Sequence, residues 1–162
     1  TGMKGSQVTG SMRTAGAASL MICQSMLWKS RKFGAEERDR TRKAVRDAIA
    51  WMQVNFDVTE NPKAGMPWHY YYLYGLERMG IVGHLRFLGK TDWYLDGAEF
   101  LLHEQDDMGS WQQGDVVDTC FGLLFLKRSS FKTSNPVITP SDPEPARPAD
   151  AGPAKGAAAP GR

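Results

Sequence analysis

Helices of two alternating kinds run through this chain. From residue 8 to about residue 130 the apolar positions recur at helical spacing, and no stretch of strict period-two alternation interrupts them. Met12–Trp28 is apolar on nearly every face, through Ala15, Ala17, Ala18, Leu20, Met21, Ile22, Cys23, Met26 and Leu27, behind a Gly10-Ser11 cap. A helix of that texture is expected to be buried all round. After Gly34, residues 35–56 read differently: charges crowd from Glu36 to Arg46, and a single stripe runs Val45, Ile49, Met52, Phe56. That is a helix with one wet face.

The alternation continues to the end of the pattern. Past the breakers Asn61-Pro62 and Gly65-Met66-Pro67, Trp68–Met79 is aromatic and apolar and is expected to stop at Gly80. Asp92–Gln105, with Thr91 as its cap, sets Asp96, Glu99, His103 and Glu104 on an outer side. Beyond the breaker Gly109, Val116–Leu126 is again apolar all round. The order is buried, amphipathic, buried, amphipathic, buried.

The alternation has a period. Laying Leu76-Glu77-Arg78 over Leu126-Lys127-Arg128, an offset of 50, brings Tyr71 over Phe121 and Leu73 over Leu123. Trp51-Met52 lies over Phe100-Leu101 at an offset of 49, and Thr14-Ala15 over Thr119-Cys120 carries the register into the first helix. Units of this length, each pairing a buried with an amphipathic helix, mark a helical repeat array with buried helices inside and amphipathic ones outside. About two and a half units are present. The first and last helices have apolar faces without partners in this count, which predicts further repeats of the same chain upstream.

Composition sets the limits. Seven of the nine prolines fall from Thr133 onward and nothing bulky and apolar follows Ile138, so residues 131–162 are expected to form a disordered Pro/Ala-rich tail after a repeat domain at 1–130. A net charge of +2 argues against a dedicated nucleic-acid binder, and no apolar run reaches a membrane span. At Thr1 there is no basic-then-apolar leader, so a targeting signal is expected to be absent or removed. The two cysteines, Cys23 and Cys120, are too few for a disulfide framework or a four-cysteine zinc module. They fit a reducing compartment and equally a buried position anywhere, so the compartment stays open.

Within residues 97–111 one motif is specific: Gly97-Ala98, then Phe100 and aliphatic residues, then Gln105-x-x-x-Gly109-x-Trp111. It resembles the glutamine–tryptophan repeat of the squalene cyclase and prenyltransferase superfamily. Ala48–Phe56 resembles a degenerate copy, with Phe56 in the glutamine's place. The resemblance implies an all-α fold, part of an α/α toroid of alternating inner and outer helices, and a cavity for a polyprenyl-type ligand. Gln105, Gly109 and Trp111 are then structural braces: Gln105 ends an outer helix and bonds across to the next helix start, and Trp111 stacks over the amide. Gly109 permits a turn with positive φ.

On the same resemblance Trp68, His69, Tyr71 and Tyr72 open an inner helix and are cavity candidates, since aromatic faces pack isoprenoid carbons and stabilise a carbocation. Read from spacing alone, seven consecutive residues from Trp68 to Tyr74 cover the whole circumference, so only some of them face any one surface. His69 is a candidate proton acceptor. Asp118 is the other catalytic candidate, because Asp115 to Cys120 resembles the Asp-x-Asp-Asp-Thr-Ala acid of class II terpenoid cyclases. Val117, however, stands where that family has its proton donor. The simpler reading makes Asp115 a helix cap. Asp118 and Cys120 also resemble the Asp-x-Cys zinc pair of protein prenyltransferases, but no histidine follows His103 to complete a site, so no metal or other cofactor is expected. A non-catalytic toroid used for binding or as a scaffold is the alternative function.

Overall fold

The structure, a computed structural model, describes residues 8–127. The tail expected at 131–162 lies outside the described residues. Among the described residues there are five helices, α1 (Gly10–Leu27), α2 (Ala35–Asn55), α3 (His69–Val82), α4 (Trp93–Glu104) and α5 (Val116–Lys127), with a 3-10 turn at Gln112–Gly114 before the last. Among the described residues there is no strand; isolated bridges at Asn61–Gly65 and Leu88–Thr91 only close turns. The fold is all-helical, as the periodicity requires.

The helix ends differ from expectation in three places. Thr9, not Gly10-Ser11, caps α1, its hydroxyl accepting from the Met12 amide at 3.4 Å. Asp92 rather than Thr91 caps α4, accepting from Leu95 at 3.2 Å, while the Thr91 backbone closes the preceding turn with Leu88. α3 runs through Gly80 to Val82. Gly80 is a seat and not a stop: a Cβ there would overlap the Trp93 indole.

That device recurs at three further contacts. Gly97 of α4 receives the Phe125 ring of α5, Gly122 of α5 receives the Trp111 indole, and Gly75 of α3 receives Thr14 of α1. Each absent Cβ lets an aromatic ring or, at Gly75, the Thr14 side chain approach to contact distance, at the helix-propensity cost of about 1 kcal/mol per glycine.

α3 is the middle of the assembly, packed against α1 on one side and α5 on the other, while α2 lies on α1 and α4 on α5. Thr14 meets Gly75, and Met21 meets Gly83, so α1 and α3 run parallel. Tyr71 and Tyr74 both meet Phe121, and Phe125 lies further along α5 beside Trp93 and Tyr94, which gives α5 the same sense. Ten of the fourteen residues of α3 are buried.

α1 and α5 are not buried all round, contrary to what their composition suggests. α1 buries Thr14, Ala17, Ala18, Met21 and Gln24 but leaves Met12 65% and Met26 77% exposed. α5 buries only Gly122 and Phe125, with Val116 at 74%. Besides α3, α1 has only α2 against it and α5 only α4 among the described helices, and the faces these leave uncovered stay exposed; burial follows neighbours, not composition alone.

Candidate functional site

The start of α3 distributes its aromatic residues around the helix. Trp68 holds left-handed backbone angles at the N-cap (φ 60) and is 70% exposed. His69 and Tyr72 point the other way, into the core, where the His69 ring meets Phe100 edge-on at 5.1 Å and lies nearly parallel to Tyr72 at 6.3 Å. Tyr71 and Tyr74 take a third direction. They remain half-buried, with Phe121 5.5 Å from Tyr71 and stacked on Tyr74 at 5.4 Å. The four cavity candidates are therefore not on one surface: of them, Tyr71 alone joins the Tyr74–Phe121 stripe.

His69 Nε2 lies 2.9 Å from the Val58 carbonyl, which can only accept, so Nε2 carries the proton. Nδ1 is buried with no hydrogen-bond partner. Burial lowers the His69 pKa, opposed by the Val58 carbonyl and by Asp57, Asp118 and Glu60. The Tyr72 hydroxyl is held far up its range by burial, with the Asp57 backbone nearby as a weak counterweight but no well-formed hydrogen bond. Tyr70 is raised too by burial, with Gln112 acting against it.

α5 begins as a capped helix. The Asp115 carboxylate accepts from the Asp118 amide at 2.8 Å, and the Asp115 carbonyl accepts from Thr119 at 2.9 Å. Asp118 is half-buried; desolvation and Asp115 raise its pKa, and His69 lowers it. The two catalytic candidates thus sense one another's charge across the α3–α5 contact. Cys120 is exposed, and among the described residues no group of three or more His, Cys, Asp or Glu is placed to hold a metal ion.

Gln105 ends α4 as its C-cap, but its amide donates to the Gly109 carbonyl at 3.0 Å, within the turn and not across to the next helix. Asp106 fills the same turn, accepting from Met108, from Ser110 and from the Ser110 hydroxyl, which holds its carboxyl below the usual range. Gly109 takes φ 79. Trp111 is fully buried on Gly122 and donates from Nε1 to Leu101 at 2.8 Å, joining α4 to α5. The indole packs on α5 at Gly122.

Asn61 and Glu77 are among the buried polar residues to which the sequence assigns no role. Asn61, fifty positions before Trp111, is fully buried; it accepts from the Ser11 amide at 2.9 Å and donates to the Ser11 hydroxyl and to the Pro67 carbonyl. Its place in the 50-residue register was the available signal. Glu77 is fully buried in α3 and accepts two bonds from Arg78, at 2.6 and 2.9 Å. The Arg78 guanidinium lies 5.6 Å from the Tyr74 ring centroid, so a cation closes one end of the Tyr71–Tyr74–Phe121 stripe. Adjacent helical residues face different ways, and no sequence pattern announces such a pair.

A cavity of about 570 Å³ lies between α1 and α2, an open groove lined by Leu20, Phe33 and Ala44 together with Glu37, Arg40, Thr41, Lys43 and Asp47. Compared with protein-family models, with curated proteins and with solved structures, the chain has no match.

Proposed function

We propose that the chain is a run of α/α-toroid repeats, similar in plan to the C-terminal part of a terpenoid-cyclase-like or prenyltransferase-like protein, and that its inner layer binds a polyprenyl-type ligand. The observation that carries this reading is a half-exposed aromatic stripe in which Tyr71 and Tyr74, on a helix that otherwise buries most of its residues, meet Phe121 of α5. Aromatic rings left partly open, backed by a rigid core, offer flat apolar area at small entropic cost and attract developing positive charge. The parallel sense of α1, α3 and α5 supports the toroid plan. The exposed α1 stripe of Met12, Gly16 and Leu20 is a seat for further repeats of the same chain.

Within this reading a non-catalytic binding module has the better support over an enzyme. Val117 replaces the acid that a cyclase needs, Asp115 is engaged in capping, and His69 spends its one N–H on a backbone carbonyl. Titration with a dansyl-labelled farnesol is expected to saturate. The double variant Tyr74→Ala, Phe121→Ala should weaken it at least about tenfold, the value of one aromatic contact near 1.4 kcal/mol. Absence of saturable binding, or equal binding by the variant, contradicts the site. Conversion of squalene or a prenyl diphosphate by the full-length protein would restore the enzyme version.

A further inference from the structure

We propose that the end of the molecule where α1 and α3 terminate docks on an anionic phospholipid bilayer. Because the two helices are parallel neighbours, the segments that follow them, 28–34 and 83–92, lie at the same end. The first carries Lys29, Arg31 and Lys32, all exposed, and no acidic residue; the second carries exposed Arg86 and Lys90 against one carboxylate, Asp92, 3.9 Å from Arg86 Nε. Residues 28–46 together hold eight basic side chains against three acidic ones, Glu36, Glu37 and Asp39. Residues 104–118, at the other end, hold five carboxylates and neither lysine nor arginine. The molecule is polarised along its helix axes and offers its positive end to a negative surface.

The side chains that protrude at the basic end suit a bilayer better than a nucleic acid. Met26 and Leu27 close α1 immediately before the lysines, and Phe87 stands in the second segment; all three are exposed. The aromatic faces there are already occupied. Arg38 lies 4.6 Å from the Trp28 ring centroid and Arg42 lies 5.9 Å from it, while Arg86 covers Phe87 at 5.1 Å. An arginine already over one face leaves these rings less area on which to stack bases. Arg38 also donates to the Phe33 and Trp28 carbonyls at 3.0 Å each, which braces the basic segment as a preformed platform. Apolar side chains set among fixed cations are the pattern that enters the headgroup boundary. The opposite end also exposes Met66, Trp68 and Met108, but it carries Asp106 and Asp107 next to Met108 and the other carboxylates of 104–118, and an anionic leaflet repels that end.

Co-sedimentation with phosphatidylcholine vesicles, with and without phosphatidylserine, tests the assignment. Binding is expected only with phosphatidylserine and should fall with added salt. Lys29→Glu, Arg31→Glu, Lys32→Glu together should lower the partition coefficient at least about a hundredfold. Met26→Ser with Phe87→Ser should lower it about tenfold, and Met108→Ser should leave it unchanged. Circular dichroism checks the fold of each variant. Equal binding to neutral vesicles, no binding at all, or retention of an RNA oligonucleotide in place of vesicles overturns the proposal, as does wild-type binding by both the charge-reversal and the apolar variant.

Discussion

The His69 imidazole has one nitrogen committed and one bare. Nε2–H is bound to Val58, so protonation would place a proton on buried Nδ1, where nothing accepts it. The folded-state pKa is accordingly lowered, so the fold prefers the neutral ring. Stability from this preference is complete above the unfolded value of about 6.5 and is lost as pH falls toward the folded value, because the unfolded chain then binds more protons. The thermal midpoint should therefore drop between about pH 7.5 and about pH 5.5, by roughly 4–8 °C for each kcal/mol of linkage. His69→Gln keeps an N–H for Val58 but cannot titrate, and its midpoint should lose that part of the slope. An unchanged slope in the variant would remove His69 as the cause.

At the level of the element, the seats decide stability. Gly80→Ala gains helix propensity of about 1 kcal/mol but must displace the Trp93 ring, and overpacking of that kind costs about 1–3 kcal/mol. Because the blocking atoms belong to a fully buried indole whose Nε1 donates to the Leu85 carbonyl, the clash should win, with a net loss of up to about 2 kcal/mol. Gly16→Ala meets nothing within 4 Å on the open side of α1 and should gain about 0.5–1 kcal/mol. Chemical denaturation of the pair checks both signs; a stabilised Gly80→Ala would refute the seat. The same comparison shows what the sequence could convey. Helix order and period were legible because they depend on local spacing. Gly80 looked like a stop and Asn61 like a breaker because their meaning depends on Trp93 and Ser11, which only the packed structure brings near. The direction of each residue from Trp68 to Tyr74 was hidden for a related reason: an unbroken aromatic run has no apolar face to fix its rotation.

For the molecule as a whole, the functional reading depends on α3 lying between α1 and α5 with all three parallel, since only then do Tyr71, Tyr74 and Phe121 form one stripe. The two cysteines of the chain, Cys23 on α1 and Cys120 on α5, are exposed on either side of α3 and accept spin labels without further substitution. Two helix spacings of about 8–10 Å across, and about a dozen residues of rise at 1.5 Å along the axis, place them about 25 Å apart. Double electron–electron resonance on the labelled full chain should give one narrow distribution between about 20 and 35 Å. A maximum below about 15 Å, which would put α1 directly against α5, or a distribution without a maximum, would contradict the arrangement from which the site is built.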